Sequence, residues 1–350
     1  MNHNTPVPPT APRSLHHLAA DRRRVLTIAQ LRTYGVTTAE LNEQCRSGGA
    51  WQQVLPGVVL LHPGPPTSEE RLHAVLLYAA RESGAPGVPV QPDAEGPHGS
   101  PTYREAMITG RAALTLHGFS ATPPLLSLET IDVLVPRLRR LRSTGCAHVI
   151  RTSALPTARQ VTGLPVAPVP RALADTVAEL PDADAVRRLL TEAVRGGHCE
   201  PASIVRELNQ AKLLSRSHVV DAVDSLLAEG RAIAEDRLYR MVREHGLPDP
   251  VWNVDLRLPG GPHLGGLDAY WPEQAVAVEL DTRAPRQDED ATWSEYARKR
   301  EVLERLGITV VHITPKKLRD AMEQQATVVR TALAAAGDHD PAAYVVVLPR

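Results

Sequence analysis

Only three cysteines occur in the 350 residues, Cys45, Cys146 and Cys199, and no two of them form a Cys-x-x-Cys pair. That spacing excludes a disulfide framework and a zinc-finger type of site. Net charge is equally scarce, with 39 Lys and Arg against 40 Asp and Glu. A chain so balanced has no overall attraction to nucleic acid, so any contact with DNA must come from local patches. No apolar run approaches the length that spans a bilayer, and Met1 to Arg13 is rich in Pro and Thr rather than a charged segment followed by an apolar core. The expectation is a cytoplasmic protein with no membrane partner. Also missing are a Gly-x-x-x-x-Gly-Lys phosphate loop, a Gly-x-Ser-x-Gly elbow and a His-Glu-x-x-His pair. The doublets Gly260-Gly261 and Gly265-Gly266 make no dinucleotide fingerprint. No nucleotide cofactor is expected.

What the chain does have is a gathering of acids between Asp268 and Asp281. Ala275 to Asp281 alternates, with Val276, Val278 and Leu280 on one side and Ala277, Glu279 and Asp281 on the other, the period of a strand. A turn centred between Glu273 and Gln274, with Pro272 at its start, places Asp268 directly opposite Glu279, with Cβ atoms about 5 Å apart. Like charges so placed destabilise a sheet unless something positive lies between them, and a hard cation such as Mg²⁺ suits the oxygens. The plainer alternative is a row of solvated carboxylates on an outer face. Ala277 among the acids, and helical patterns on both flanks, favour a covered face. Glu235 is expected to open a helix through Leu238, Met241 and Val242 that ends at Gly246-Leu247-Pro248, bringing a fourth carboxylate.

The overall expectation is a multidomain α/β chain. Residues 1–14 read as a tail. Residues 15–63 read as helix, helix, the turn Gly35-Val36-Thr37, helix and a small hairpin, the layout of a winged helix. Its acidic Glu40 and Glu43 repel phosphates, while Arg22, Arg23, Arg24, Arg32 and Arg46 supply positive charge to grip a backbone. Residues 64–119 read as a helical extension carrying a flexible insertion at 84–102, with His117 as a hydrogen-bonded structural histidine. Residues 120–215 read as an α/β connecting domain opening on the strand Ile131 to Pro136. The densest basic run follows it, with Arg137, Arg139, Arg140 and Arg142 placed to hold phosphates. Residues 216–338 form the acid-bearing domain, and 339–350 read as a tail.

Two stretches resemble known families. Leu31, Gly35, Val36, Arg46, Gly48, Trp51 and Pro56-Gly57-Val58 resemble the amino-terminal winged helix of AbiEi-type antitoxins and related regulators. From about Arg231 to Ala335, the order of Glu235, Gly-Leu-Pro, Pro250, Asn253, Asp268, Glu279-Leu280-Asp281, the Arg298-Lys299-Arg300 helix, Leu303, Gly307 and a strand to Thr314 is similar to the very-short-patch-repair endonuclease domain. That domain belongs to the restriction-endonuclease-like superfamily. The resemblance implies an α/β/α core in which Asp268 and Glu279 bind Mg²⁺ and Asp281 is a third ligand or a base-positioning group. Glu235 would be the helix carboxylate, and the reaction would be phosphodiester hydrolysis. The chain departs from the superfamily in carrying Asp281 where the usual Lys follows the Glu, and Thr282-Arg283-Ala284-Pro285 where Gly-x-x-His often stands. With Trp293, Tyr296, Arg300 and Leu303 on one helical stripe, Arg300 is expected to point inward, either stabilising phosphate charge or pairing with an acid. Two functions follow: a Mg²⁺-dependent DNA endonuclease, or an AbiEi-like regulator or antitoxin that keeps the nuclease fold without its chemistry. The second implies a toxin partner or a homodimer. An interaction scaffold with no nucleic-acid role is a third.

Overall fold

The computed structural model describes residues 24–81, 103–282, 289–336 and 344–350, with the side chains of 289–296 outside the description. The tail at 1–14, Arg22, Arg23 and the insertion at 84–102 lie outside these residues. The described chain is mixed α/β, with eleven α-helices and three sheets. It divides into two compact units, 1–179 and 180–350, a coarser partition than the sequence reading drew. The helices after Leu180, expected in a connecting domain, pack with the C-terminal unit.

In the first unit, β1 (Val25–Thr27), α1 (Ile28–Thr33), α2 (Thr38–Gln44), β2 (Gln52–Leu55) and β3 (Val58–Leu60) come in succession. Strand β3 lies between the other two in a three-stranded antiparallel sheet. The helices start where a threonine is followed three residues later by Gln or Glu: Thr27 with Gln30 and Thr37 with Glu40 exchange reciprocal capping bonds. Glu40 is thereby a cap. The Thr37 amide that donates to it holds its carboxyl below the usual range. Gly57, at φ +80, makes the tight reversal between β2 and β3. Helix α3 (Ser68–Ala80) is capped in the same way by Thr67 and Glu70 and buries eight residues from Leu72 to Ala80.

Beyond it lie β4 (Met107–Ile108), α4 (Gly110–Leu116), β5 (Ile131–Pro136), β6 (Ala147–Thr152), β7 (Arg159–Val161), β8 (Leu164–Val166) and α5 (Val169–Glu179). The strands form one sheet in the order β6-β5-β4-β8-β7, with β5 and β6 parallel. His117 bonds the Ala167 carbonyl oxygen at 2.8 Å, a structural role as expected.

The second unit begins with α6 (Ala183–Arg195), α7 (Pro201–Gln210) and α8 (Ser217–Glu244). Glu235 does not open a helix. The apolar stripe Val219, Ala222, Val223 and Leu226 runs on through Gly230 to Ala234, Leu238 and Met241 with no proline to stop it, so one 28-residue helix carries Glu235 well inside. Strands β9 (Val251–Arg257), β10 (His263–Trp271) and β11 (Val276–Leu280) follow, then α9 (Glu289–Arg305), β12 (Thr309–Ile313), α10 (Pro315–Asp320), α11 (Met322–Ala336) and β13 (Val346–Pro349). The sheet order is β12-β11-β10-β9-β13, antiparallel except for the β11–β12 pair. The segment expected as a C-terminal tail is thus an edge strand, paired with β9 from Val346 opposite Arg257 to Pro349 opposite Val254. Val346, Val347 and Leu348 offer the β-branched and apolar side chains that suit it.

Both faces of this sheet are covered. Val276, Val278 and Leu280 pack with Leu238 and Met241 of α8, Leu318 of α10 and Val329 of α11. Ala277, on the opposite face, packs with Leu303 of α9, Ile308 and Val310. Alternation in β11 therefore separates two apolar layers, not a core from solvent.

Candidate functional site

The β10–β11 ladder pairs Trp271 with Val276, Tyr270 with Ala277 and Ala269 with Val278, so the next positions in register are Asp268 and Glu279. Pro272 to Ala275 turns the chain, with the Ala275 amide donating to the Pro272 carbonyl oxygen at 3.4 Å. Both acids are buried, Asp268 to 4 % exposure and Glu279 to 7 %. They are the only buried carboxylates among the described residues of this unit.

Each has a cation of its own. Asp268 Oδ1 accepts from Arg231 Nη2 at 2.8 Å, while Oδ2 accepts from the Leu280 amide at 2.7 Å. Arg231, one turn before Glu235 on α8, also donates through Nε to Glu235 Oε1 at 2.7 Å. Glu279 Oε1 accepts from Lys299 Nζ at 2.8 Å, and the same ammonium donates to the Gly266 carbonyl oxygen at 2.7 Å. Glu279 faces His312 across the parallel β11–β12 pair, with Nδ1 to Oε2 at 3.9 Å. The result is two charge-paired sets side by side: Glu235, Arg231 and Asp268 in one, Glu279 and Lys299 in the other.

Burial pushes the Asp268 carboxyl above its ordinary range. The Leu280 amide and Arg231 pull it back, and the fields of Glu235 and Glu279 push it up again. Burial holds the His312 imidazolium below its ordinary range, with Glu279 opposing. A backbone irregularity sits beside Asp268. Its neighbours pair as Leu267 with Val254 and Ala269 with Trp252, which leaves Asp268 opposite Asn253, and Asn253 has φ +50. Asparagine tolerates this region better than most residues, and such conformations gather at functional sites.

Two expected participants are elsewhere. Arg300 is exposed and pairs with Glu304 at 2.7 Å, one turn along α9. The inward stripe of α9 runs through Leu303, and the position four residues earlier on that stripe is Lys299, so the inferred face was wrong by one residue. Asp281 lies just past β11, exposed, its amide donating to the Ile313 carbonyl oxygen. Glu235, Asp268, Glu279 and Asp281 do not supply three ligand atoms within reach of one ion. Asp268 and Glu279, as register neighbours, remain a two-carboxylate set. Mg²⁺ commonly takes one or two protein carboxylates and completes its shell with water and phosphate oxygens, so the donor chemistry fits without Asp281. Among the described residues one group of three donors does converge closely enough to hold an ion: Asp132, His148 and Glu179, in the first unit.

Of the arginines proposed to grip DNA, Arg24, Arg32, Arg137, Arg140 and Arg142 are exposed. Arg46 is exposed and paired with Glu43 at 2.9 Å. Arg139 is turned to a structural task, its Nη2 donating to the carbonyl oxygens of Ala79 and Arg81 at 2.7 and 2.8 Å. Arg231, Lys299, His312 and the Asp132 group went unread in the sequence. For Lys299 the signal was present, since Leu303 fixes the buried face of α9. Arg231 stood one helical turn before Glu235, the spacing of an ion pair.

Comparison of the chain with protein-family models and with curated proteins gives no match.

Proposed function

We propose that the protein binds DNA and that its C-terminal unit is a metal-dependent phosphodiesterase centre of the restriction-endonuclease-like kind. The observation that carries this reading is the trio of Asp268 and Glu279 at adjacent register positions with Lys299 Nζ 2.8 Å from Glu279. The superfamily's usual lysine, absent at Asp281, is replaced by an ammonium from α9. In this reading Asp268 and Glu279 hold Mg²⁺, which when bound supplies Lewis acidity and a coordinated water. Lys299 keeps Glu279 ionised and oriented and offers a proton donor beside the reacting phosphate. Arg231 fixes Asp268, and Glu235 fixes Arg231. The three-layer arrangement of helices on both faces of the β9–β13 sheet is consistent with an endonuclease-like core. In the first unit, α1, α2 and the β2–β3 hairpin are consistent with a winged helix, and in this reading Arg24, Arg32, Arg137, Arg140 and Arg142 would be its phosphate contacts.

A second reading is favoured by one observation: Arg231 already bonds both Glu235 and Asp268, so the cluster is neutralised by the chain itself. In that case the unit is a recognition or dimerisation module of an AbiEi-like regulator, with a toxin or a second copy as partner.

The two separate in a single experiment. Supercoiled plasmid is incubated with Mg²⁺ or Mn²⁺ and wild-type protein, Glu279→Gln or Lys299→Met, with a mobility shift run on the same samples. The expected result is nicking that falls at least about 100-fold in both variants, the scale on which loss of electrostatic catalysis is felt, with the DNA shift retained. A wild-type protein that shifts DNA and nicks no form of it overturns the catalytic reading and leaves the regulator.

A further inference from the structure

We propose that Asp132, His148 and Glu179 form a binding site for a divalent transition ion of the Zn²⁺ or Mn²⁺ class, separate from the carboxylates of the C-terminal unit. The placement follows from the topology. Asp132 and His148 are direct partners in the parallel β5–β6 pair, so their side chains leave the same face of the sheet. Glu179, the last residue of α5, comes to the same point. His148 Nδ1 lies 2.7 Å from Asp132 Oδ1 and 3.6 Å from Glu179 Oε1, and all three donor atoms are within 4.8 Å of one another. Ligands about 2.0–2.1 Å from an ion stand about 2.9 Å apart at right angles and about 3.4 Å apart at tetrahedral angles. The observed spacings bracket these values.

Charge argues in the same direction. The buried Asp175 is matched by Arg171 through two bonds, at 2.7 and 3.0 Å, and by Thr109 Oγ1 at 2.6 Å. Among the described residues no arginine or lysine is bonded to Asp132 or Glu179, whose common neighbour is the His148 imidazole. Both buried acids of the C-terminal unit, by contrast, have an arginine or lysine at hydrogen-bond distance. A dication satisfies the pair in the first unit. The imidazole nitrogen among the donors selects Zn²⁺ or Mn²⁺ over Mg²⁺ or Ca²⁺, which prefer oxygen throughout.

The site is also preformed and reachable. A Cβ on Gly110 would come within 2.0 Å of Asp132 Oδ2, so the bare backbone of Gly110 seats that carboxylate. The side chains of His148 and Glu179 are 41 % and 45 % exposed against 11 % for Asp132, which gives an ion one anchored ligand and an open side for water. The ion takes the place of the hydrogen bond between His148 Nδ1 and Asp132 Oδ1.

The test uses the full chain, freed of metal by a chelator, in calorimetric titration with Zn²⁺ and Mn²⁺. Wild type is compared with His148→Gln, Asp132→Asn and Glu279→Gln. The expected result is one equivalent held at this site by wild type and by Glu279→Gln alike, beside any ion taken by the C-terminal carboxylates, and affinity for that equivalent at least about 100-fold lower in His148→Gln and Asp132→Asn, since even outer-shell changes cost up to that factor. The half-exposed position of His148 keeps that variant folded, which a circular dichroism spectrum checks, should Asp132→Asn misfold. Absence of stoichiometric binding in wild type overturns the proposal. Equal binding by His148→Gln does the same, as does loss confined to Glu279→Gln, which would assign the ion to the other unit and bear on the nuclease reading alone.

Discussion

Replacing Arg231 by methionine keeps the aliphatic length of the side chain and removes its charge, which isolates what the guanidinium does for Asp268. With charge centres about 4 Å apart, the attraction is about 1 kcal/mol in water and about 4 kcal/mol at an effective dielectric of 20. Arg231 is 38 % exposed and Asp268 5 %, so solvent screens one partner and not the other, and about 2 kcal/mol is the expected coupling. Loss of the bond to Glu235 adds about 0.5 kcal/mol, the scale of a helical i, i+4 pair.

The pH dependence makes the test sharper. Because burial raises the Asp268 carboxyl, the folded chain holds that proton more tightly than the unfolded chain. Stability from this group is therefore fully present below the unfolded value of about 3.9 and falls as pH rises towards the folded value. Arg231 is one of the causes that lower the folded value, so without it the window of loss extends upward. The penalty of Arg231→Met should then be small at acid pH, where Asp268 is protonated in the fold, and full at pH 8.

Urea unfolding followed by the fluorescence of buried Trp271, with exchange of the Leu280 amide as a local reporter, measures this in wild type, Arg231→Met, Asp268→Asn and the double variant. At pH 8 the single arginine variant should lose about 2.5 kcal/mol, and only about 0.5 kcal/mol in the Asp268→Asn background. An arginine penalty that is equal in both backgrounds, or equal at pH 8 and at acid pH below the unfolded value of about 3.9, refutes the account of Asp268 as a buried charge held by Arg231.

Gly110→Ala should destabilise the first unit by about 2–4 kcal/mol, because φ is +62 and the new Cβ meets Asp132 Oδ2; a thermal melt within 1 kcal/mol of wild type would contradict the geometry. His312 should titrate below pH 6.5 by ¹H–¹⁵N NMR. The folded state binds that proton less readily, so its contribution to stability is complete above pH 6.5 and is lost as pH falls towards the depressed value. Arg137→Glu with Arg140→Glu should weaken DNA binding and lower the slope of log affinity against log salt by about 0.9 for each lost phosphate contact, read from mobility shifts at several salt concentrations. An unchanged slope would remove this loop from the interface.

The parts of the fold that were legible in the sequence are those with a strict local rule. Pro272 and the alternation from Ala275 set the β10–β11 register, and that register places Asp268 beside Glu279. The threonines three residues before Gln30, Glu40 and Glu70 mark helix starts because the reciprocal bonds are local. What escaped depends on contacts far apart in the chain. Whether Lys299 or Arg300 faces the sheet is settled by the seating of Leu303 against strands whose positions the helix alone does not reveal. Asp132, His148 and Glu179 are separated by 16 residues or more, and only the parallel pairing of β5 with β6 unites the first two. β13 was missed because a four-residue strand shows little periodicity without its partner.

That last strand has a consequence for how the molecule behaves among its own copies. Val346 to Pro349 supplies the outer rail of the C-terminal sheet, and the Arg350 amide closes it on the Asn253 carbonyl oxygen at 2.9 Å. The bonds β9 makes to this rail are main-chain bonds, indifferent to which molecule provides the strand. Deletion of 344–350 bares the edge of β9 and invites another molecule to dock there, so that truncated protein should self-associate in proportion to its concentration.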